Sequence, residues 1–354
     1  MSKRLLVVAG GTGGHIFPGI AVANELKAQG WSVSWVGTPD RMESEVVPKH
    51  NIDIDFIHVQ GVRGNGIKRL ITAPVTVLKA IFAARNIIKR RRPNVILAMG
   101  GYVTGPVGIA AKLLSVPLVI HEQNAVAGLS NRLLAKVANG VLGAFPSAFS
   151  DKRFQVVGNP VRASVSQLQP KQPKQTINCL VVGGSLGAKV LNDTLPEVFA
   201  KLQNDIEVPL AVRHQSGKGQ SEHLDKRYLG TGVKANVSDF IDDMDKAYAW
   251  ADIVICRSGA LTVSEIAAAG KMALFVPYPH AVDDHQTANA DYLVKDNAAL
   301  IMPQSQFELD AIVAVLRPYM LQPELITEIA MKAKSLAKLD ATRSVAQICA
   351  QLSR

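Results

Sequence analysis

His15 follows four glycines in five residues, in the stretch VAGGTGGHIFPG that runs from Val8 to Gly19. A neutral imidazole can take a proton from an attacking hydroxyl, and the start of a helix at this point disfavours the imidazolium. A lone histidine there serves equally well as a capping or packing residue, and His121 and Glu122, after another apolar run, compete for the role of base. The turn itself is bare of side chains and rich in amides, which suits a diphosphate. It is not a dinucleotide fingerprint: with Gly11 and Gly13 as the first two glycines, Ile16 takes the place of the third, and no acid ends the next strand, SVSWVGT. The Lys-Ser/Thr pair of a P-loop is missing too.

The second half offers a different set. GGSLGA follows Val182, CRSGALTVSE follows Ile255, and PYPHAVDDHQTANA follows Val276. Ser258 and Gly259 open a helix whose dipole favours a diphosphate by roughly 0.3–1 kcal/mol. Glu265, about two turns on, is an acceptor able to take both hydroxyls of a ribose, or else a helical acid facing water. Gln286 and Asn289 are three apart on the next helical stretch and suit sugar hydroxyls. With His280, His285, Asp283 and Asp284 they also form a possible ligand set, although the acids equally make an N-cap and the spacing is not that of a zinc site. Asp53-Ile54-Asp55 spells an Asp-x-Asp, a pair of carboxylates that can hold a divalent metal. It lies in NIDIDFIHV, an alternating strand whose acids are expected to face water, so no metal is expected.

Positioning these residues takes two parallel sheets. The 354 residues suffice for two domains, and the low aromatic share with abundant Ala, Val, Leu, Ile and Gly suits buried strands under helices. RLLVVAGGTGGH and INCLVVGGSLGA each read as a β-branched strand, a glycine turn and a helix, Pro18 to Gln29 and Ala188 to Gln203, so the chain begins a doubly wound α/β sheet twice. Further strands are expected at Ser32–Gly37, Val95–Met99, Leu118–His121, Gln155–Val157, Pro209–His214, Ile253–Cys256 and Met272–Val276. The polar, proline-spaced SVSQLQPKQPKQT places a linker at 162–175, between a first domain at 1–161 and a second at 176–339. A terminal helix at about 340–354 is expected to pack back on the first domain. The cysteines, Cys179, Cys256 and Cys349, are scattered in apolar surroundings, which suits a reducing compartment. The start MSKRLLVVAGG is too short in its apolar run for a signal peptide, and residues 95–120, of spanning length, are broken by Gly-Gly, Gly-Pro and Val-Pro.

Together GGTGGHIFPG, MGGYVTGP, HEQNAVAGLSNR, VVGNPVR, VVGGSLGA, HQSGK, FIDDM, CRSGALTVSEIAAAG and DDHQTANA cover nearly the whole chain. They resemble the MurG family, the UDP-N-acetylglucosamine transferases that complete the disaccharide of the lipid-linked peptidoglycan precursor. The resemblance implies a GT-B fold, two Rossmann-like domains facing a central cleft. It places the lipid acceptor on the first domain and the nucleotide sugar mainly on the second, with no cofactor. It implies that Ser185 and its loop face the diphosphate and that Ile241 touches the uracil. Ala260, Leu261, Thr262, Val263, Ser264 and Glu265 would hold the nucleoside, with Glu265 on the ribose. Gln286, with Asn289 nearby, reads the N-acetylglucosamine, Asn124 reaches the same sugar, and Arg162 contributes at the hinge. Thr12, Gly13 and Gly14 count among the UDP-sugar contacts, while their turn is also expected to admit the acceptor's diphosphate. Leu186 stands where the family usually has Gln, which removes a side-chain amide contact at that point. The implied reaction is inverting: the C4 hydroxyl of the muramoyl sugar of undecaprenyl-pyrophosphoryl-muramoyl-pentapeptide attacks C1 of UDP-N-acetylglucosamine, a β-1,4 bond forms and UDP leaves.

The net charge of +10 is concentrated: Phe56 to His121 carries ten Lys or Arg and no acid, which calls for an acidic partner surface. In IKRLITAPVTVLKAIFAARNIIKRRR, Leu70, Pro74, Val77, Leu78, Ile81 and Phe82 are expected near one helical face, flanked by Lys68, Arg69, Lys79, Arg85 and Lys89. Such a helix lies on anionic lipid or packs on a core, and the lipid-linked acceptor favours membrane contact. A peripheral position on the cytoplasmic face of the inner membrane follows, with other cell-wall synthesis proteins as partners. The rival readings are a transferase or epimerase of the same fold with a soluble substrate, and a nucleic-acid binder. The basic stretch has little aromatic interleaving and no nucleic-acid module, so no nucleic acid is expected.

Overall fold

The computed structural model describes residues 2–59, 67–184 and 186–353, with 67–73 described by backbone alone. Among these residues the strands form two wholly parallel sheets. The first holds β1 (Arg4–Ala9), β2 (Ser32–Gly37), β3 (Asp53–Phe56), β4 (Val95–Gly100), β5 (Leu118–Glu122), β6 (Gly140–Gly143) and β7 (Phe154–Val156), in the order β3-β2-β1-β4-β5-β6-β7. The second holds β8 (Ile177–Val182), β9 (Leu210–Gln215), β10 (Lys234–Ser238), β11 (Ile253–Cys256), β12 (Met272–Phe275) and β13 (Leu300–Ile301), in the order β10-β9-β8-β11-β12-β13. The chain divides into a unit of residues 1–161 with 338–354, and a unit of residues 162–337.

The alternation of side chains along a strand explains why the central strands are apolar throughout. Leu6, Val8, Ile96 and Ala98 face one side, where Ala80, Ala84, Ile87 and Ile88 of the helix Ile67–Arg91 cover them together with Val107 and Ala111. Leu5, Val7, Leu97 and Met99 face the other, under Ile16, Ile20 and Ala23 of the helix Gly13–Ala28 and Val345, Ala346 and Cys349 of the last helix, Ala341–Leu352. Each such Leu, Ile or Val stabilises the fold by roughly 1.5–3 kcal/mol through burial alone. In the second unit Cys179, Val181, Ile253, Ile255 and Leu274 pack under Leu191, Leu195 and Phe199 of the helix Lys189–Asp205.

Four features differ from the reading of the sequence. The first helix starts at Gly13, five residues before Pro18, because the glycines themselves adopt its first turn. Residues 162–175 are folded into the second unit: Ala163–Ser166 is a helical turn with Val165 buried, and Lys334 Nζ donates to the Ser166 and Leu168 carbonyls. Asp53 and Asp55 do not simply face water, since Arg90 and Arg91 clamp Asp55 at 2.6 and 2.7 Å and Arg91 reaches Asp53 at 3.0 Å. Finally, the helix Ile67–Arg91 divides its apolar residues between two faces. Ile81 and Val77 lie half-buried on the core side with Ala80 and Ala84, whereas Val75, Leu78 and Phe82 stand exposed on the opposite side. Residues 95–120 resolve into β4, the helix Thr104–Leu113 and β5, and no helix among the described residues is long and apolar enough to cross a membrane.

Candidate functional site

Because β1, β4 and β5 are neighbours, their carboxyl ends bring together the glycine turn, Gly100-Gly101 and the HEQN segment. Ala9 stands in register with Gly100. A Cβ at Gly100 would lie 2.6 Å from His15 Nδ1, so this glycine clears the space that the imidazole occupies. His15 is half-buried in the first turn of its helix, with Nδ1 2.7 Å from Gln123 Oε1. The Gln123 amide nitrogen lies 3.0 Å from His121 Nδ1 and donates to the His121 carbonyl at 3.2 Å, and His121 Nε2 lies 2.9 Å from the Gly158 carbonyl. Burial pulls the His121 pKa down to about 4, leaving that ring neutral. Asn159 donates to the Gln123 carbonyl, so the Gly-Asn-Pro segment braces this line from outside.

Glu122 is placed otherwise than a base requires. Its buried carboxylate accepts from the Asn124 amide N–H and side chain, the Gly128 amide and the Asn131 side chain, at 3.0, 3.2, 3.0 and 2.9 Å. Both oxygens are committed to holding the loop, and Asn124 is fixed by it. His121 is buried and engaged at both ring nitrogens, which leaves His15 as the accessible imidazole.

Beneath the glycine turn lies Glu43, fully buried in the short helix Met42–Val46. It accepts from the Gly11 amide at 3.0 Å and from the Thr38 amide and hydroxyl at 2.9 and 2.6 Å. The Gly11 amide is thus unavailable to a ligand. Thr12 precedes the helix in an extended conformation without a side-chain cap, so the Gly13 and Gly14 amides point out of its end.

In the second unit, β8, β11 and β12 are neighbours, with Cys256 in register with both Val182 and Phe275. The turn after β8 is held by Gln215, which accepts from the Gly184 amide at 2.9 Å and donates to the Gly184 and Asp239 carbonyls at 2.8 and 2.9 Å. A Cβ at Gly187 would lie 2.1 Å from the Ser216 carbonyl oxygen, so only glycine permits this approach. Ser185 lies outside the described residues. Leu186 is 88% exposed and its side chain extends into water. Asp239 accepts from the amides of Gly219, Gln220 and Ser221, which hold its pKa down at about 2 and order the segment leading to the exposed Phe240 and half-buried Ile241.

The helix Ala260–Ala269 opens after an extended Gly259 with no side-chain cap, and Ser258 Oγ is buried beside it without a partner. Its residues do not act as a block: Val263 is fully buried and Ala260 nearly so, while Leu261, Thr262 and Ser264 are half-buried. Glu265 is buried rather than solvent-facing. Loss of hydration pushes its pKa up to about 7, against the opposing pull of the Arg162 charge and of the Tyr248 hydroxyl 3.2 Å from Oε2. Arg162, expected at the hinge, therefore acts on the same carboxyl. Gln286 and Asn289 part company: Gln286 is half-buried and accepts from the Tyr278 amide at 2.9 Å, whereas Asn289 is fully buried and donates to the Ser258 carbonyl at 3.1 Å. Asn289 braces the helix opening and cannot also face a sugar. Among the described residues, no cluster of three His, Cys, Asp or Glu side chains is placed to hold a metal.

Glu43, Gln123, Gln215 and Tyr248 were not singled out by residue pattern. Gln123 and Gln215 lie inside the quoted HEQN and HQSGK motifs; Glu43 and Tyr248 carry no local signal.

Two parallel sheets, each with a glycine turn at its carboxyl edge, make up a two-domain, doubly wound fold. The glycosyltransferase of kitacinnamycin shares the fold at a TM-score of 0.74 and 17% identity, covering 100% of both chains. Residues 5–142 match the glycosyltransferase family 28 N-terminal domain and residues 178–348 its C-terminal domain. The UDP-N-acetylglucosamine–N-acetylmuramyl-(pentapeptide) pyrophosphoryl-undecaprenol N-acetylglucosamine transferase of Pseudoalteromonas translucida is 64% identical over 100% of this chain and 99% of its own length. That of Aeromonas hydrophila is 53% identical over 100% and 98%. The crystal structure of Acinetobacter baumannii MurG aligns with a TM-score of 0.86 at 43% identity over 99% of each chain. The chain belongs to glycosyltransferase family 28, and within it to the MurG enzymes.

Proposed function

We propose that this chain transfers N-acetylglucosamine from UDP-N-acetylglucosamine to the C4 hydroxyl of undecaprenyl-pyrophosphoryl-muramoyl-pentapeptide, with inversion at C1, in peptidoglycan synthesis. The observation that carries the reading is the 64% identity, end to end, to such a transferase, beside an imidazole held by Gln123 at His15 and a buried carboxyl at Glu265. His15 takes the proton from the attacking hydroxyl through its outward ring nitrogen. The Gly13 and Gly14 amides receive an oxygen of the acceptor's diphosphate or of the donor, with Thr12 beside them. On the second unit the turn around Ser185 and the uncapped helix at Ala260 receive the UDP diphosphate and stabilise it as it leaves. Glu265 binds the ribose hydroxyls, Ile241 lies on the uracil, and Gln286 reads the sugar. Asn124, which donates to Glu122, also contacts that sugar.

The chain acts as a peripheral protein at the cytoplasmic face of the inner membrane. Val75, Leu78 and Phe82 form an exposed apolar stripe beside the exposed Lys79 and Lys89 and the half-buried Arg85, and Ile109, Leu113, Leu129 and Leu133 are exposed on the two helices that follow. Lys68 and Arg69 lie in the segment whose side chains are not described. Other cell-wall synthesis proteins are further partners of the enzyme.

UDP release measured with the lipid-linked muramoyl-peptide, with soluble sugars and with neither, each with and without chelator, tests the reading. Release that needs the lipid-linked acceptor and survives chelation is expected. Equal release with a soluble sugar would instead favour a transferase or epimerase of soluble substrates.

A further inference from the structure

We propose that Gln123 and His121 are positioning residues that fix the tautomer of His15, so that its Nε2 always carries the open lone pair. The inference rests on His15 being the base, and on a chain of contacts that can be read in one direction only. It starts at the Gly158 carbonyl, which can accept but never donate. His121 Nε2, 2.9 Å away, must therefore carry the hydrogen. His121 is buried and neutral, so its Nδ1 is left as an acceptor.

The partner of that Nδ1, 3.0 Å away, is the Gln123 side chain, which has to present its NH2 group. A second acceptor, the His121 carbonyl at 3.2 Å from the same nitrogen, demands the same orientation. Neither the ring nor the amide can be turned over without setting two lone pairs against each other. With the NH2 group committed, Gln123 Oε1 faces His15 Nδ1 at 2.7 Å, and a carbonyl oxygen there requires Nδ1–H. The neutral His15 ring then has Nε2 unprotonated. On proton capture Nδ1–H stays bonded to Gln123, and the positive charge is met by an amide dipole rather than a carboxylate.

The line joins three separated pieces of sequence: the glycine turn, the HEQN strand end and the Gly-Asn-Pro segment. It gives Gln123 a role in catalysis without contact with either substrate. Because Gln123 is buried, it is a poor candidate for a direct ligand.

The test is the ring ¹⁵N resonances of His15 in the full-length protein, assigned with His15→Gln, read beside kinetics. The wild type is expected to show Nδ1 protonated and Nε2 unprotonated at pH 8. Gln123→Met removes the acceptor and should let the ring drift towards the Nε2–H form, with kcat roughly 10²-fold lower and the KM for the nucleotide sugar unchanged. Gln123→Glu keeps an acceptor for Nδ1–H, so the tautomer should return, while the oxygen that replaces the NH2 group faces the His121 Nδ1 lone pair and carbonyl and should hold kcat between that of Gln123→Met and that of the wild type. A wild-type ring protonated at Nε2 would overturn the proposal without reference to any variant, and so would a tautomer that Gln123→Met leaves untouched. Full turnover in His15→Ala with the expected tautomer would sink the base and leave the relay standing.

Discussion

In the first unit the turn after β1 rests on Glu43, a buried carboxylate that takes the Gly11 amide for itself; in the second, the turn after β8 rests on Gln215, a neutral amide that both accepts from and donates to Gly184. The sequences GGTGGH and GGSLGA look interchangeable, yet the first turn is bonded directly to a carboxylate and the second to a neutral amide. Two unit charges about 8 Å apart at an effective dielectric of about 20 repel by roughly 2 kcal/mol. A turn backed by a carboxylate is therefore the poorer seat for a fully charged nucleotide diphosphate, and a turn backed by glutamine the better one. The same contrast appears in the reactive groups. The first unit offers an imidazole aligned by neutral partners, and the second a carboxyl whose ionisation burial opposes.

The largest expected effect falls on the first unit. His15→Ala should lower kcat by roughly 10²–10⁴-fold at saturating substrates, and near-normal turnover would remove its role as base. The second unit stores its function as lost stability. Glu265 has its pKa raised to about 7 in the folded chain, so folding favours the protonated form. The cost is absent below the ordinary carboxyl pKa, grows as the pH rises from about 4.5 to about 7, and is constant above that. Glu265→Gln without nucleotide should thus be more stable than the parent at pH 8, by up to about 3 kcal/mol in denaturant titrations, and no more stable at pH 4. Equal stability at both pH values would mean the carboxyl is not desolvated.

Exchanging the braces tests the comparison itself. Gln215→Glu should weaken UDP binding by about tenfold or more, whereas Glu43→Gln should alter it less than about twofold and instead cost about 1–2 kcal/mol of stability through the Gly11 and Thr38 contacts. Similar losses of UDP affinity in both would erase the distinction. The smallest effect lies outside the reaction centre: Phe82→Ser with Lys79→Ser and Arg85→Ser should weaken binding to anionic vesicles by roughly 1 kcal/mol per basic residue, with UDP affinity unchanged. Unaltered vesicle binding would count against this face as the membrane contact.

Most strands and the two turns were legible in the sequence because their signals are local, a β-branched run, then glycines, then a helical pattern; the short strands Gly140–Gly143 and Leu300–Ile301 were not read. The short polar strand Lys234–Ser238 was not, since KANVS carries no apolar run and forms only as the edge beside β9. Phase was the second limit. Gln286 and Asn289 are three apart, but where the helix docks turns one outward and buries the other; the same uncertainty split Ile81 from Phe82. Braces were the third. Glu43, Gln123 and Gln215 act through partners tens of residues away, and no spacing announces a carboxylate that will lie beneath a glycine turn.

The most direct test of this division of labour is UDP titration calorimetry on His15→Ala and Glu265→Ala side by side. The account predicts an unchanged Kd in the first and one about 10–10²-fold weaker in the second. Weakened binding in His15→Ala with full affinity in Glu265→Ala would contradict it.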